Sequence, residues 1–262
     1  VTVEDHEGEV AMAFSEVADG VHRLDHAWVN LYVVRGDGGR VLVVDAGLPA
    51  MWPLLGQALR SLGHRPSDVA GIALTHAHFD HTGFAAVARR RLGVPVWADP
   101  ADFFIAAHPY RYAHENVRAL YPVRHPGSLR ILGAMAAAGA PRVPGVRDLT
   151  PYAPDDAGAA LDLPGSPRLV RTPGHTAGHV ALHLPERDVV LVGDALVTLD
   201  PYTGVEGPQI VAGAATADSA QALASLDLIA ATGASVLLPG HGEPWRWGAA
   251  EAVAEARAVG AH

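Results

Sequence analysis

Short runs of aliphatic and β-branched residues, broken by glycine, proline and aspartate, dominate the first third of the chain. Residues 21–24, 31–34 and 41–44 read as strands, with Gly36-Asp37-Gly38-Gly39 as the hairpin turn between the last two. The period then lengthens. Residues 49–62 predict a helix that tolerates Pro53 in its first turn. A short buried strand at 71–74, a helix at 83–92 and a strand at 94–98 follow. The second half repeats the theme without a strict sequence repeat. Strands are expected at 169–171, 180–184, 189–192 and 235–238, and helices at 217–232 and 249–259. Strands followed by alternating helix and strand, twice over, predict an α/β protein (α+β in some schemes) with two sheets packed face to face and helices outside.

Between the halves, residues 100–163 break the pattern with aromatics, prolines and alanines. Segments 102–107, 115–120 and 129–138 read as helical, and 151–156 as loop. The expectation is one domain over residues 1–262 carrying a helical insert or lid at about 100–163.

Composition narrows the function classes. The chain has 262 residues, 49% hydrophobic and 18% charged, which suits a packed protein rather than a disordered one. A net charge of −9 argues against nucleic acid as partner, although Arg89-Arg90-Arg91 supplies a local basic strip. There is no cysteine, so disulfides, thiolate ligands and a cysteine nucleophile are excluded. Residues 1–9 are acidic and polar and do not read as a secretory signal. No apolar run is long enough to span a membrane, so the cytoplasm is the expected location. Oligomeric state is left open, a dimer included.

The chain holds 15 histidines, and their placement matters more than their number. In Thr75-His76-Ala77-His78-Phe79-Asp80-His81, four metal-capable residues occupy six positions directly after a buried strand. On an extended segment His76 and His78 point the same way and reach one ion, while Asp80 and His81 face a second. A hydroxide shared by two such ions is a strong nucleophile at neutral pH.

His-x-His-x-Asp-His resembles the signature of the metallo-β-lactamase fold superfamily. Four further segments match in family order across residues 41–242. Val43-Val44-Asp45-Ala46-Gly47 resembles the early strand and its supporting aspartate. Thr172-Pro173-Gly174-His175-Thr176-Ala177-Gly178-His179 is similar to the third-ligand motif of the glyoxalase II-like branch. Val192-Gly193-Asp194-Ala195 resembles the bridging-aspartate segment, and Leu238-Pro239-Gly240-His241-Gly242 the final-ligand motif. The resemblance implies a four-layer αββα sandwich with two divalent metal ions along one edge of the sheets. It assigns His76, His78 and His175 to one ion, and Asp80, His81 and His241 to the other. Asp194 bridges them, and Asp45 orders the ligand loop from behind. Zinc is the expected metal, with iron and manganese as the other ions such donors accept.

His179 matches the third-ligand motif but reads as a supporting residue. His22, His26, His64 and His125 lack a partner motif and read as surface residues. The resemblance also excludes. No cysteine ligand is present, and a bridging aspartate sets aside β-lactamase action; His78 stands where the di-iron flavoprotein branch has an acid. A hydrolase acting on an ester, thioester or lactone of a small hydrophobic substrate remains, with Asp80 shuttling the proton. A phosphodiesterase or nuclease and a mono-iron oxygenase are the alternatives. Phe103, Phe104, Tyr110, Tyr112, Tyr121 and Met135 of the insert are expected to line an apolar pocket over the metals.

Overall fold

The computed structural model describes residues 13–153 and 158–262. The acidic segment 1–9 and residues 154–156 of the expected loop lie outside the described residues. The first sheet runs β1 (Ala13–Ala18), β2 (Val21–His26), β3 (Val29–Arg35), β4 (Val41–Val44), β5 (Val69–Ala73), β6 (Val96–Ala98) and β7 (Thr150–Pro151), in that spatial order. Its first four strands are antiparallel hairpin neighbours, and β4 to β7 are parallel. Between them lie helices α1 (Met51–Ser61), α2 (Phe79–Thr82), α3 (Ala85–Leu92), α4 (Phe103–Ala107), α5 (Tyr121–Arg124) and α6 (Ser128–Ala137). The second half supplies β8 (Arg168–Arg171), β9 (Val180–Leu184), β10 (Val189–Gly193), a ribbon of β11 (Val197–Leu199) and β12 (Glu206–Gln209), α7 (Ser219–Ala230), β13 (Val236–Pro239) and α8 (Ala249–Val259). The second sheet has the order β13-β10-β9-β8.

Alternation along the strands builds three apolar layers. On β3 and β4, Leu31, Val33, Val41 and Val43 face α1, α3 and α6. Their neighbours Tyr32, Val34, Leu42 and Val44 face the other sheet, where they meet Leu182, Val189 and Leu191. Val190 and Val192 point out of the second sheet onto Leu226 and Ile229 of α7 and Val253 of α8. Strands covered on both faces need apolar residues at every position, which is why β4 and β10 read as unbroken hydrophobic runs. The result is the expected αββα sandwich.

Strand direction decides where the functional loops go. β8 and β10 both run antiparallel to β9, and β13 runs parallel to β10. The carboxyl ends of β8, β10 and β13 therefore share one edge. Segments after β5 and β13 are tied across the sandwich there, by Val180 N–H to Thr75 O at 2.8 Å and Asn30 N–H to Gly240 O at 2.8 Å.

Some expectations fail for local reasons. Residues 115–117 are not helical, because Glu115 N–H and Asn116 N–H donate to Thr216 O and Gly213 O, and the chain turns only at 118–124. Thr150–Pro151 is a short edge strand against β6 rather than loop. Periodicity does not signal β1, β11 or β12. His22 is buried and stacked on Phe14, with ring centroids 5.5 Å apart, so it is not a surface residue. No helix among the described residues is long and apolar enough to cross a membrane.

The inter-sheet layer predicts a contrast on one strand. Leu182→Ala, at a fully buried position, lowers the unfolding free energy by about 2–5 kcal/mol. His183→Ala, half-buried on the opposite face, changes it by about 0.5 kcal/mol or less. Urea denaturation of the two variants checks the pair.

Candidate metal centre

Seven side chains from four loops meet at the shared edge. His76, His78, Asp80 and His81 follow β5 and begin α2. His175 follows β8, Asp194 follows β10 and His241 follows β13. All seven are buried. They form three overlapping groups, His76/His78/His175, His76/His81/Asp194 and Asp80/His81/His241, within each of which the donor atoms lie within 4.8 Å of one another. His175 Nε2 and His78 Nδ1 approach to 2.9 Å. Asp194 Oδ2 is 3.5 Å from His175 Nε2 and 3.4 Å from His241 Nε2, and its Oδ1 is 3.4 Å from His81 Nε2. Asp194 thus stands between the two histidine groups that the resemblance separates.

The outer nitrogens fix which way the lone pairs point. His81 Nδ1 lies 3.0 Å from Asp45 Oδ2, and His241 Nδ1 lies 2.7 Å from Trp28 O. Both acceptors require Nδ1–H. Thr216 donates its hydroxyl to Val211 O at 2.6 Å, so it accepts from His175 Nδ1–H at 3.2 Å. Thr75 donates its hydroxyl to Asp45 and accepts from His76 Nδ1–H at 3.1 Å. Four imidazoles are thereby set with Nε2 inward. His76, His81 and His241 Nε2, together with Asp194 Oδ1, are buried without a hydrogen-bond partner. Orphaned polar atoms are costly in an interior. An inward set of imidazole nitrogens and carboxylate oxygens fits divalent cations.

Electrostatics divides the cluster. Burial, reinforced by neighbouring histidines, holds His76 and His78 well below the usual imidazole range, and burial takes His175 down to about 4. Burial acts the same way on His241 and His81, but carboxylates outweigh it. Asp194 and Asp80 push His241 up to about 10, and Asp194 and Asp45 raise His81. Burial would raise Asp194, yet His241 and His81 draw it well below the carboxylate range.

Buried polar groups hold the loops in place. Asp45, at φ +64°, accepts from Thr75 N–H at 2.7 Å as well as from His81. Its position suits the supporting role read from the sequence. His179 accepts from Asp194 N–H at 3.1 Å through Nε2, and its Nδ1 meets Thr172 Oγ1 at 2.8 Å. Both nitrogens are engaged, which suits a supporting residue. Gly240 is forced, since a Cβ there would lie 2.1 Å from Asp194 Oδ1 and 2.6 Å from His81 Cε1.

Sequence reasoning missed the residue that joins the two ligand loops. Asp102, at the start of the insert, accepts from Ala77 N–H at 3.0 Å, Thr176 O–H at 2.8 Å and Gly178 N–H at 2.8 Å. Burial pushes its carboxyl up to about 6 despite those donors. No motif marks it; a lone aspartate in an alanine-rich insert gives no local signal. Asn30 and Tyr32, which donate to Pro239 O at 2.9 and 2.6 Å and steady the His241 loop, were equally silent.

The expected aromatic pocket is corrected. Phe103 and Met135 pack into the layer under the first sheet, and Tyr121 packs on Ala212 and Ala214. Tyr110 is tied to Ala140 O and Val143 N–H, and Phe104 is 58% exposed beside His108. Tyr112 does reach the cluster, with its ring 4.0 Å from that of His78 and capped by Arg118 at 4.0 Å. Most of these side chains cover other apolar surface, which the insert must do before it can form a lid. Beside the cluster is a small cavity of about 110 Å³, lined by His78, Ile105, Tyr112, His175 and Ala177 among others.

Asp102→Ala leaves the N–H groups of Ala77 and Gly178 without acceptors. It lowers the unfolding free energy by about 2–5 kcal/mol, measured by chemical denaturation.

The comparisons agree with this geometry. The family model for the metallo-beta-lactamase superfamily matches residues 29–241. The probable metallo-hydrolase YflN of Bacillus subtilis strain 168 is 26% identical over 241 residues, covering 87% of this chain and 86% of the relative. A metallo-beta-lactamase family protein from Thermus thermophilus superposes with a TM-score of 0.63 at 29% identity, covering 88% of this chain and 74% of the other. A protein solved in a di-iron-bound form superposes with a TM-score of 0.56 at 26% identity, covering 84% and 90%. The fold, the convergent donors and these matches together place the chain in the metallo-beta-lactamase superfamily.

Proposed function

We propose that the cluster holds two divalent metal ions and that the protein is a hydrolase of a small ester, thioester or lactone. The observation that carries this reading is the inward set of partnerless donors, with Asp194 between the two histidine groups. His76, His78 and His175 would hold one ion, and Asp80, His81 and His241 the other, with Asp194 touching both. Zinc suits these donors; iron suits them too, and a structural relative is di-iron-bound. Similarity to a probable metallo-hydrolase supports hydrolysis over oxygenation.

Such ions, when bound, would lower the pKa of a water and polarise the scissile carbonyl. The chain's own residues do the rest. Asp80 Oδ2, 3.4 Å from His241 Nε2, takes the proton of the attacking water and passes it to the leaving oxygen or sulfur. The outer hydrogen bonds that the imidazoles donate to Asp45, Thr216 and Trp28 O keep the rings from turning during turnover. The cavity beside His78 and His175 receives the acyl group, and its size favours a short one.

His76→Ala and Asp194→Ala each abolish hydrolysis and reduce bound metal, read by elemental analysis and a panel of aryl esters, thioesters, lactones and bis-aryl phosphates. Full turnover in either variant refutes the site; activity confined to the phosphodiesters refutes the substrate class. Ile105→Trp, which fills the small cavity, raises KM for longer acyl chains more than for acetyl esters.

A further inference from the structure

A second cavity, of about 400 Å³, lies behind His241. The imidazole separates the two regions, because Nε2 faces the seven-residue cluster while Nδ1 donates to the backbone oxygen of Trp28, a wall residue of this cavity. Its lining is unusual in two respects. Three of the chain's five tryptophans, Trp28, Trp245 and Trp247, line it, and so do three carboxylates, Asp25, Glu206 and Glu243. No arginine is in the wall.

The charges do not cancel. Glu243 is paired with Arg23 at 2.8 Å. Asp25 and Glu206 have no ion-pair partner among the described residues. Asp25 is half-buried, and burial together with Glu243 holds its carboxyl above the usual range against the pull of Arg23. A positive ligand would relieve that cost.

The aromatic walls say which kind of cation. Trp245 and Trp247 have ring centroids 4.6 Å apart at 58°, so their faces form a corner. Trp245 is anchored by Nε1–H to Gly248 O at 3.1 Å, while Trp247, packed on it, is 71% exposed. Arg130 sits 5.2 Å over one side of the Trp28 ring, a contact that the ring quadrupole favours. Trp28 occupies the two-residue turn between β2 and β3, where it and Ala27 both hold positive φ, +61° and +55°, without glycine. Indole faces attract large, weakly hydrated cations through the ring quadrupole. A bare metal ion needs several oxygen ligands close together, and Asp25, Glu206 and Glu243 do not form a group with donor atoms within 4.8 Å of one another. A neutral aromatic ligand would leave the half-buried Asp25 uncompensated.

We propose that this cavity binds an organic ammonium ion, an alkylated amine held by the tryptophan faces and by Asp25 and Glu206. The proposal is independent of the reaction assigned to the metal centre, because its test reads binding and not turnover.

The full-length chain is titrated with tetramethylammonium, choline and benzyltrimethylammonium, and with the neutral isostere 3,3-dimethylbutan-1-ol, by tryptophan fluorescence and calorimetry. At least one of the ammonium ions binds saturably, and the isostere binds about 10-fold more weakly or not at all. Asp25→Asn and Trp247→Ala each weaken binding about 10-fold. Glu206→Gln, at an exposed position where folding is not at risk, weakens it in the same direction. Trp52→Phe, outside the cavity, leaves it unchanged. Failure of all three ammonium ions to bind overturns the proposal. So does equal binding of the isostere, or affinity unchanged in Asp25→Asn, Glu206→Gln and Trp247→Ala.

Discussion

Five imidazoles and three carboxylates are buried together at the edge of the sandwich, and the cost of keeping them there governs the structure around them. Inside a protein an unpaired polar atom loses its water and gains nothing. The outer nitrogens of His76, His81, His175 and His241 therefore each have a partner, and those partners are spread over four segments of chain. The inner Nε2 atoms of His76, His81 and His241 have none, so the same constraint that builds the scaffold leaves a cation-shaped demand at its centre. His81 and His241 drawn up by the carboxylates, and Asp194 drawn down, are the form that demand takes in the protein alone.

Meeting it requires loops that could not hold themselves. The segment after β5 is fixed by Asp45 on one side and Asp102 on the other. Asp102 also grips the segment after β8, so the insert is joined to both halves of the cluster through one carboxylate. His179 positions Asp194 through the backbone, which leaves both Asp194 oxygens free to face inward. Each of these residues spends its hydrogen bonds on another loop rather than on a ligand.

His241 marks a boundary in the molecule. Its inner nitrogen belongs to the histidine cluster, beside which lies a small cavity walled by His78, His175 and Tyr112. Its outer nitrogen meets the Trp28 turn, beyond which the surroundings are indole and carboxylate. The insert adds less to the first region than its aromatic content suggests. Tyr112 reaches His78, and the other aromatics mainly cover apolar surface or lie exposed.

The sequence by itself determined the layers and the donors. Runs such as Val41–Val44 and Val189–Gly193 are apolar at every position because both faces are covered, and that is a local signal. His76 to His81 announced itself because so many donors in so few positions has no structural explanation. Residues such as Asp102, Asn30 and Thr216 carried no such signal, since each acts through contacts with chain 25 to 212 positions away. The insert misled for the same reason, because composition reports that aromatics are present and not what they cover. Periodicity is a property of neighbouring residues, and so it survives in the sequence. Which lone pair faces inward, which carboxylate joins two loops, and which tryptophans share a cavity depend on strands that fold back from opposite ends of the chain, and only the tertiary structure decided them.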